Sequence, residues 1–196
     1  LQIRLVKGAY WDTEIKHAQV EGFGGYPVYT RKVNTDVAYI ACARQLLGLR
    51  QQFYPQFATH NAHTISIITE LAQDRLDFEF QRLHGMGEDL YAEVQRSPEF
   101  NPACRVYAPV GSHEDLLPYL VRRLLENGAN TSFVNRIVDE RLPVEQVAED
   151  PVAKAKRNQP RANPAIPMPA DIFGRQRQNS RGVNTANELD LAALAD

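Results

Sequence analysis

Cysteine is scarce in this chain of 196 residues, which contains only Cys42 and Cys104. One lies in a predicted helix and the other opens a predicted strand, so they form neither a disulfide framework nor a zinc-ligand pattern. Long apolar runs are missing too, since none approaches the roughly 18 residues that cross a bilayer. The N-terminus also lacks the layout of a secretory signal. We therefore expect a soluble protein of a reducing, cytoplasmic compartment.

Charge of one sign is not in excess, because the formal net charge is −2. This balance does not predict the basic surface that a nucleic-acid-binding protein needs. We interpret the short basic run at 154–161 as a solvated linker. The GxGxxG fingerprint does not occur, and GFGG at 22–25 lacks the lysine and serine of a phosphate-binding loop. The sequence thus argues against nucleic-acid binding and against a Rossmann-type dinucleotide site.

What the sequence does contain is a fourfold alternation of strand and helix signals, separated by glycine, proline or asparagine. This order predicts an α/β fold with a parallel sheet. The predicted strands are 2–8, 55–61, 76–83 and 105–110. The predicted helices begin near Asp12, run over 36–47, pass through Ile65, Ile68 and Leu71, extend from about Glu88 to Ser97, and follow the capping residue Ser112.

Alternation within the strands predicts one unusually polar face, because successive side chains of a strand point to opposite sides. That face gathers Arg4, Glu79, Gln81, Arg105 and Tyr107. Charged residues are seldom buried without partners, so we expect Glu79 and Arg105 to pair inside a barrel layer. Arg4 and Tyr107 are the better candidates for a ligand site.

Four βα units are half of a (β/α)8 barrel. A four-stranded parallel sheet alone would leave two edges and its polar face uncovered. We therefore predict that 1–138 forms the last four units of a TIM-type barrel, completed by an N-terminal half from the same or another chain. Such barrels carry catalytic groups at the carboxyl ends of their strands, which here hold Lys7, Tyr10, Asn61, Gln81 and His84.

The segment at 119–133 predicts a helix with an unusual polar stripe. At 100° per residue, Tyr119, Arg122, Arg123 and Glu126 share one face, while leucine and valine fill the opposite side. Two adjacent guanidinium groups offer paired donors that suit a small carboxylate. The alternative interpretation is an ordinary solvated helix surface.

The character of the chain changes beyond residue 139, where proline and charge are frequent and helical periodicity is weak until Glu188. We interpret 139–196 as a linker or tail with a short helix near 185–195. A disordered tail is the alternative.

Four segments together resemble the proline dehydrogenase family: RLVKGAYWD at 4–12, FATHN at 57–61, FQRLHGMGE at 80–88 and YLVRRLLENGANTSF at 119–133. The resemblance covers 1–138. It implies a barrel whose last helix lies over FAD, and oxidation of L-proline to 1-pyrroline-5-carboxylate by hydride transfer to flavin N5. It also implies quinone as the electron acceptor, and hence peripheral contact with the inner membrane face. In bifunctional family members, a stretch like 139–196 leads to an aldehyde dehydrogenase domain, so we expect the chain to stop near its start.

The resemblance also assigns residues. It implies that proline, or a small carboxylate analogue, is held by Arg122 and Arg123 and enclosed by Tyr119, Tyr107 and Leu83. The residues implied for FAD are Arg4, Val6, Lys7, Gly8, Ala9, Tyr10, Trp11, Thr30, Arg31, Lys32, Thr59, His60, Asn61, Gln81, His84, Arg123, Glu126, Ser132 and Phe133.

Other interpretations remain open at this point. The family's additional lysine and aspartate lie on earlier strands that this chain lacks, so a noncatalytic half-barrel acting only in assembly is one alternative. A barrel enzyme that binds a phosphate substrate without flavin is another. His60 and His63 could ligate a metal, yet no third ligand accompanies them at suitable spacing, so no metal site is predicted.

Overall fold

The computed structural model describes residues 1–8, 10–96, 101–128 and 143–195, except the side chains at 125–128, 144, 147 and 195. The chain divides into two compact units. The first comprises 1–9 and 36–154, and the second comprises 10–35 and 155–196. Among the described residues, no helix is long and apolar enough to cross a membrane.

The first unit contains a four-stranded, all-parallel sheet, as the sequence predicts. Its strands are β1 (Gln2–Leu5), β2 (Tyr54–Ala58), β3 (Glu79–Leu83) and β4 (Ala103–Tyr107), in that spatial order. Because each strand lies beside its neighbour in sequence, the helices that connect them make successive βαβ crossovers. The α/β class and the parallel sheet are therefore confirmed.

The strand limits differ from the predicted ones for local reasons. β2 ends at Ala58 rather than at residue 61, because Asn61 Oδ1 accepts from the Thr64 backbone N–H at 3.0 Å and so begins the next helix. β4 begins two residues earlier and ends three residues earlier than predicted, in register with β3 from Glu79 opposite Ala103 to Leu83 opposite Tyr107. A strand can extend only as far as its partner pairs with it.

Eight α-helices are described. They are α1 (Trp11–Glu21), α2 (Lys32–Gly48), α3 (Ala62–Ala72), α4 (Glu88–Arg96), α5 (His113–Gly128), α6 (Val144–Val147), α7 (Pro151–Arg157) and α8 (Glu188–Ala195), with a 3-10 turn at Pro169–Asp171. α2 begins one turn before the predicted Asp36, because the Asn34 N–H already donates to the Arg31 carbonyl at 3.1 Å.

The core of the first unit lies between the sheet and its helices. Phe57, Phe78 and Phe80 are fully buried. Phe78 packs edge to face on Phe57 and Phe80, with ring centroids 5.6 and 5.4 Å away, while the Phe57 and Phe80 rings are tilted at 6.4 Å. Tyr91 of α4 adds a fourth ring, 6.0 Å from Phe80. Its hydroxyl donates to the Thr59 carbonyl at 2.8 Å, which satisfies the polar end of a buried side chain. These rings therefore form the apolar core on the side of the sheet opposite its polar face.

The second unit joins the early loop region to the C-terminal segment. Asn179 Nδ2 donates to the Gln19 carbonyl at 2.7 Å, and Gly182 N donates to the Gly22 carbonyl at 3.0 Å. The boundary predicted at 138/139 lies within residues 129–142, outside the described part of the chain, and stays a prediction. The sequence did not predict the packing of 155–196 against 10–35. Most hydrogen bonds between these segments end on backbone carbonyls, and such bonds leave no periodic pattern in the sequence.

Candidate functional site

The polar face of the sheet is built around Glu79, a buried carboxylate that is 3% exposed. Its Oε1 accepts from Gln56 Nε2 at 2.9 Å, Gln81 Nε2 at 2.7 Å and Arg105 Nε at 2.7 Å. Its Oε2 accepts from Arg105 Nη2 at 2.8 Å. These bonds, that of Arg105 above all, hold the pKa of Glu79 below its usual range. The predicted Glu79–Arg105 pair is confirmed, and Gln56 is a member that sequence reasoning missed.

Arg4 and Tyr107 lie on the same face and meet across it. The Arg4 guanidinium carbon is 4.6 Å from the centroid of the Tyr107 ring, a cation–π distance. Burial raises the pKa of the Tyr107 phenol, and the charge of Arg4 opposes that rise. Leu83, predicted to enclose the substrate, is buried directly beside Tyr107 in the strand register.

α5 turns its polar stripe inward. Ser112 caps the helix as predicted, accepting from the Asp115 N–H at 3.3 Å. Tyr119 lies near enough to Tyr107 to raise the pKa of its phenol further, and the Arg123 guanidinium lies 5.1 Å from the Tyr119 ring centroid. Arg122 and Arg123 are both partly buried. Of the predicted substrate residues, Leu83, Tyr107, Tyr119 and Arg123 are thus brought together at the polar face. The partial burial of Arg122 and Arg123 argues against the interpretation of the stripe as an ordinary solvated surface.

The opposite side of α5 is apolar and exposed. Leu117, Leu120, Val121 and Leu124 are each between 40% and 60% exposed. An amphipathic helix normally buries such residues and solvates its charged side. Here the orientation is reversed, which is the expected arrangement if the charged side serves a ligand.

His60 lies at the carboxyl end of β2 with a defined tautomer. Its Nε2 accepts the Leu83 backbone N–H at 3.1 Å, so that nitrogen carries no proton. Burial lowers the pKa of His60, and the charges of Arg82 and Arg123 lower it further. The imidazole is therefore neutral with its proton on Nδ1, and its Nε2 is occupied by the bond from the Leu83 N–H.

Lys7 follows β1 and is fixed by two residues of the helices. Its Nζ donates to Asp36 Oδ1 at 2.7 Å and to Thr64 Oγ1 at 2.8 Å. Sequence reasoning missed both partners, since neither follows a strand end. Gly8 comes next with φ of 84°, a left-handed conformation in which a side chain would be strained. The backbone here can therefore approach a ligand closely.

Of the remaining FAD candidates in the first unit, some use their side chains in hydrogen bonds within the protein and others are exposed. Thr59 Oγ1 accepts from the Asn61 N–H at 3.2 Å, and the Asn61 side chain caps α3. The Gln81 amide serves Glu79. Val6 and His84 are exposed, and the His84 N–H donates to the Tyr107 carbonyl at 2.8 Å.

Five FAD candidates belong to the second unit: Tyr10, Trp11, Thr30, Arg31 and Lys32. Trp11 Nε1 donates to the Tyr29 carbonyl at 2.8 Å, and Tyr10 and Trp11 are both exposed. Thr30 and Arg31 make hydrogen bonds to residues 160–163. Four further predictions, Ala9, the Glu126 side chain, Ser132 and Phe133, lie outside the described residues.

The family model described as "Proline dehydrogenase" matches residues 1–136. The "Bifunctional protein PutA" of Klebsiella aerogenes is 56% identical over 207 residues, which cover 100% of this chain and 16% of that relative. The "Proline dehydrogenase 2, mitochondrial" of Arabidopsis thaliana is 31% identical over 133 residues, covering 63% of this chain and 27% of that protein. The chain thus spans only a small part of the curated relatives that it matches.

Solved structures give the same result. A crystal structure of a Bradyrhizobium japonicum proline utilization A mutant matches with a TM-score of 0.90 and 55% identity, covering 99% of this chain and 20% of that one. Proline utilization A from Bdellovibrio bacteriovorus, inactivated by N-propargylglycine, matches with a TM-score of 0.69 and 36% identity, covering 78% of this chain and 16% of that chain. Together with the clustered arginines and tyrosines, these matches place the chain in the proline dehydrogenase family.

Proposed function

We propose that this chain supplies part of an FAD-dependent site that oxidises L-proline to 1-pyrroline-5-carboxylate and passes the electrons to a quinone. The observation that carries the proposal is the inward polar stripe of α5, which brings Arg123 and Tyr119 to Tyr107 and Arg4. Membership of the family supports the same reaction. A phosphate-binding barrel without flavin would not account for a pair of tyrosines beside the cations.

Arg122 and Arg123 would bind the proline carboxylate. Two guanidinium groups on consecutive residues of one helix can donate to both carboxylate oxygens and so leave the ring a single orientation. The Tyr107 and Tyr119 rings and the Leu83 side chain would cover the methylene groups and exclude water from them. The chain's contribution to the reaction is therefore mainly the fixed position of the substrate.

The residues present fit a flavin. Arg4 supplies a cation beside Tyr107, Gly8 permits close approach of the backbone, and neutral His60 keeps its Nδ1 proton for donation. FAD, when bound, supplies the acceptor for the hydride that leaves the ring carbon beside the proline nitrogen. Among these residues, His60 would donate a hydrogen bond without adding charge, while Arg4 would stabilise negative charge.

We also propose that the sheet is the second half of a (β/α)8 barrel. Each edge strand, β1 and β4, pairs with one neighbour, and the apolar side of α5 is exposed. Both features suit a complementary N-terminal half that closes the barrel. A downstream aldehyde dehydrogenase domain, a cytoplasmic location and peripheral membrane contact belong to the same proposal.

The test uses the complete protein, purified with FAD in the buffer and then desalted. We expect a flavin absorbance spectrum that L-proline bleaches under anaerobic conditions and that a quinone analogue restores. A colourless protein, or a flavin that proline does not reduce, would refute the proposal. The first of these outcomes is the one that the noncatalytic assembly role predicts.

A further inference from the structure

The turn between β3 and α4, at residues 84–87, packs closely against the imidazole of His60. A Cβ added at Gly87 would lie 3.1 Å from His60 Cδ2, tighter than an ordinary van der Waals contact. Gly87 also has φ of 67°, a left-handed conformation that favours glycine. The missing side chain at this position therefore lets the His60 ring lie against the turn. Both residues belong to the first unit.

Three hydrogen bonds fix His60 and the turn to each other. The Leu83 N–H donates to His60 Nε2 at 3.1 Å. The Tyr91 hydroxyl donates to the Thr59 carbonyl at 2.8 Å and so holds the peptide group that leads into His60. The Tyr91 N–H donates to the Gly87 carbonyl at 3.0 Å. The ring and the backbone of His60 are thus both held by β3 and α4.

These contacts occupy one edge of the imidazole. Nε2 and Cδ2 are bonded neighbours in the ring, so the Leu83 N–H and the Gly87 backbone lie along the same edge. Nδ1 and Cε1 form the opposite edge, which faces away from the turn. Because Nε2 accepts, the proton of the neutral ring is on Nδ1. In the part of the chain that the structure describes, this proton is donated to no protein group.

The charges near His60 indicate which kind of ligand this donor suits. Arg123 of α5 and Arg82 of β3 both lower the pKa of His60, and Arg123 belongs to the polar stripe beside Tyr119. An uncharged N–H donor close to guanidinium groups suits an acceptor oxygen or nitrogen of a ligand rather than a cation. His60 and the polar stripe of α5 therefore belong to one site within the first unit.

We propose that Gly87 is a positioning residue, which leaves room for the His60 ring and so holds Nε2 on the Leu83 N–H with Nδ1–H as a hydrogen-bond donor to the bound flavin. This inference rests on the proposed function, because that function supplies the flavin as the acceptor. His60 touches the cofactor, whereas Gly87 acts only through His60. The turn after β3 thereby contributes to the site through the close approach of its backbone.

The test measures FAD dissociation from the complete protein, followed by the fluorescence gained when FAD is released. Gly87→Ala adds the Cβ that meets His60, and we expect it to raise the dissociation rate about fivefold, the effect of one lost hydrogen bond. Gly85→Ala is the matched control, because Gly85 lies in the same turn with φ of 78° and a Cβ there would meet nothing within 4 Å. It carries comparable backbone strain without touching His60, so its rate should stay nearer that of the wild type. Equal rates for the two variants would overturn the inference.

A second pair of variants tests the donor directly, whether or not Gly87→Ala folds. His60→Asn keeps an N–H donor near the position of Nδ1, while His60→Leu has the same branched shape without a donor. We expect His60→Asn to release FAD more slowly than His60→Leu, and Gly87→Ala to add little in the His60→Leu background. Equal release from these two His60 variants, or an undiminished effect of Gly87→Ala in that background, would overturn the inference while the proposed function stands. A wild-type protein that retains no FAD would instead overturn both.

Discussion

The guanidinium of Arg4 lies 4.6 Å from the ring of Tyr107, although the two residues belong to the first and last strands of the sheet. Three strand spacings of about 4.8 Å separate those strands. The side chains therefore reach toward each other over the two central strands. A cation and an aromatic wall of the proposed site thus depend on each other for their positions.

This relationship predicts different outcomes for two substitutions of Tyr107. Tyr107→Phe keeps the ring under Arg4 and should raise KM for proline less than about threefold, whereas Tyr107→Leu loses the cation–π contact of about 1 kcal/mol and should raise it more than fivefold. Steady-state kinetics on the complete protein measures both. Equal KM values for the two variants would show that the aromatic ring of Tyr107 does not contribute to proline binding.

The arginine pair of α5 should govern substrate affinity. Arg122→Ala and Arg123→Ala are each expected to weaken proline binding by about 2 to 5 kcal/mol, as for a charged partner in a desolvated pair. The measurement is KM for proline, supported by the Kd of a carboxylate analogue. Arg96→Ala is a suitable control, because Arg96 is an exposed arginine paired with Glu93 on α4. An unchanged KM in both α5 variants would remove the proposed role.

Glu79→Gln should destabilise the protein and change its pH dependence. Glutamine keeps the shape but cannot accept from Gln56, Gln81 and Arg105 as the carboxylate does, and we expect a loss of about 1 to 3 kcal/mol at neutral pH. The folded pKa of Glu79 is lowered by these partners. The ionised carboxylate therefore contributes fully to the free energy of unfolding above its unfolded pKa of about 4.3. That contribution is lost as the pH falls through the lower pKa of the folded state.

The measurement for Glu79→Gln is urea unfolding near neutral pH and again at about pH 4 and below. The difference in unfolding free energy between wild type and variant should narrow as the pH falls. Glu93→Gln removes an exposed carboxylate of the surface pair with Arg96 and should change little at either pH. A difference that stays constant with pH would contradict the assigned pairing.

His60 should remain neutral with its proton on Nδ1. Its pKa is lowered by burial and by nearby arginines, so we expect titration below the usual value of about 6.5. Stability contributed by neutral His60 is then present above that value and lost as pH falls through the folded pKa. Nitrogen-15 NMR of the labelled imidazole reads the tautomer directly. A protonated Nε2 at neutral pH would contradict the bond from the Leu83 N–H.

Packing of the C-terminal segment can be tested at Gly22. A Cβ added there would lie 1.8 Å from the Ser180 carbonyl oxygen, and the residue has φ of 64°. Gly22→Ala should therefore displace the segment and increase tryptic cleavage at Arg175, Arg177 and Arg181. Gly24→Ala is the matched control, because a Cβ at Gly24 would meet nothing within 4 Å. Equal cleavage rates in the two variants would argue against the observed packing.

Much of the first unit was predictable from sequence, since hydrophobic alternation and turn residues report directly on parallel strands and their helices. The Glu79–Arg105 pair followed from strand parity alone. The inward stripe of α5 could not be decided this way, because helical periodicity gives the faces but not which one meets the sheet. Resemblance to a family decided it. The contacts of Asp36 and of Asn163 were missed, since they join segments that are distant in sequence without any repeating pattern.

The outward leucines of α5 affect how substitutions in this chain should be interpreted. Leu117 and Leu124 are more than half exposed in this chain. Judged from that exposure alone, replacing either one with a polar side chain should leave the stability of the protein unchanged or even raise it. If another half of a barrel packs against this side of α5, the same substitutions would bury a polar group without a hydrogen-bond partner and destabilise the protein. The tolerance of this helix to mutation is thus a direct test of whether another half covers it.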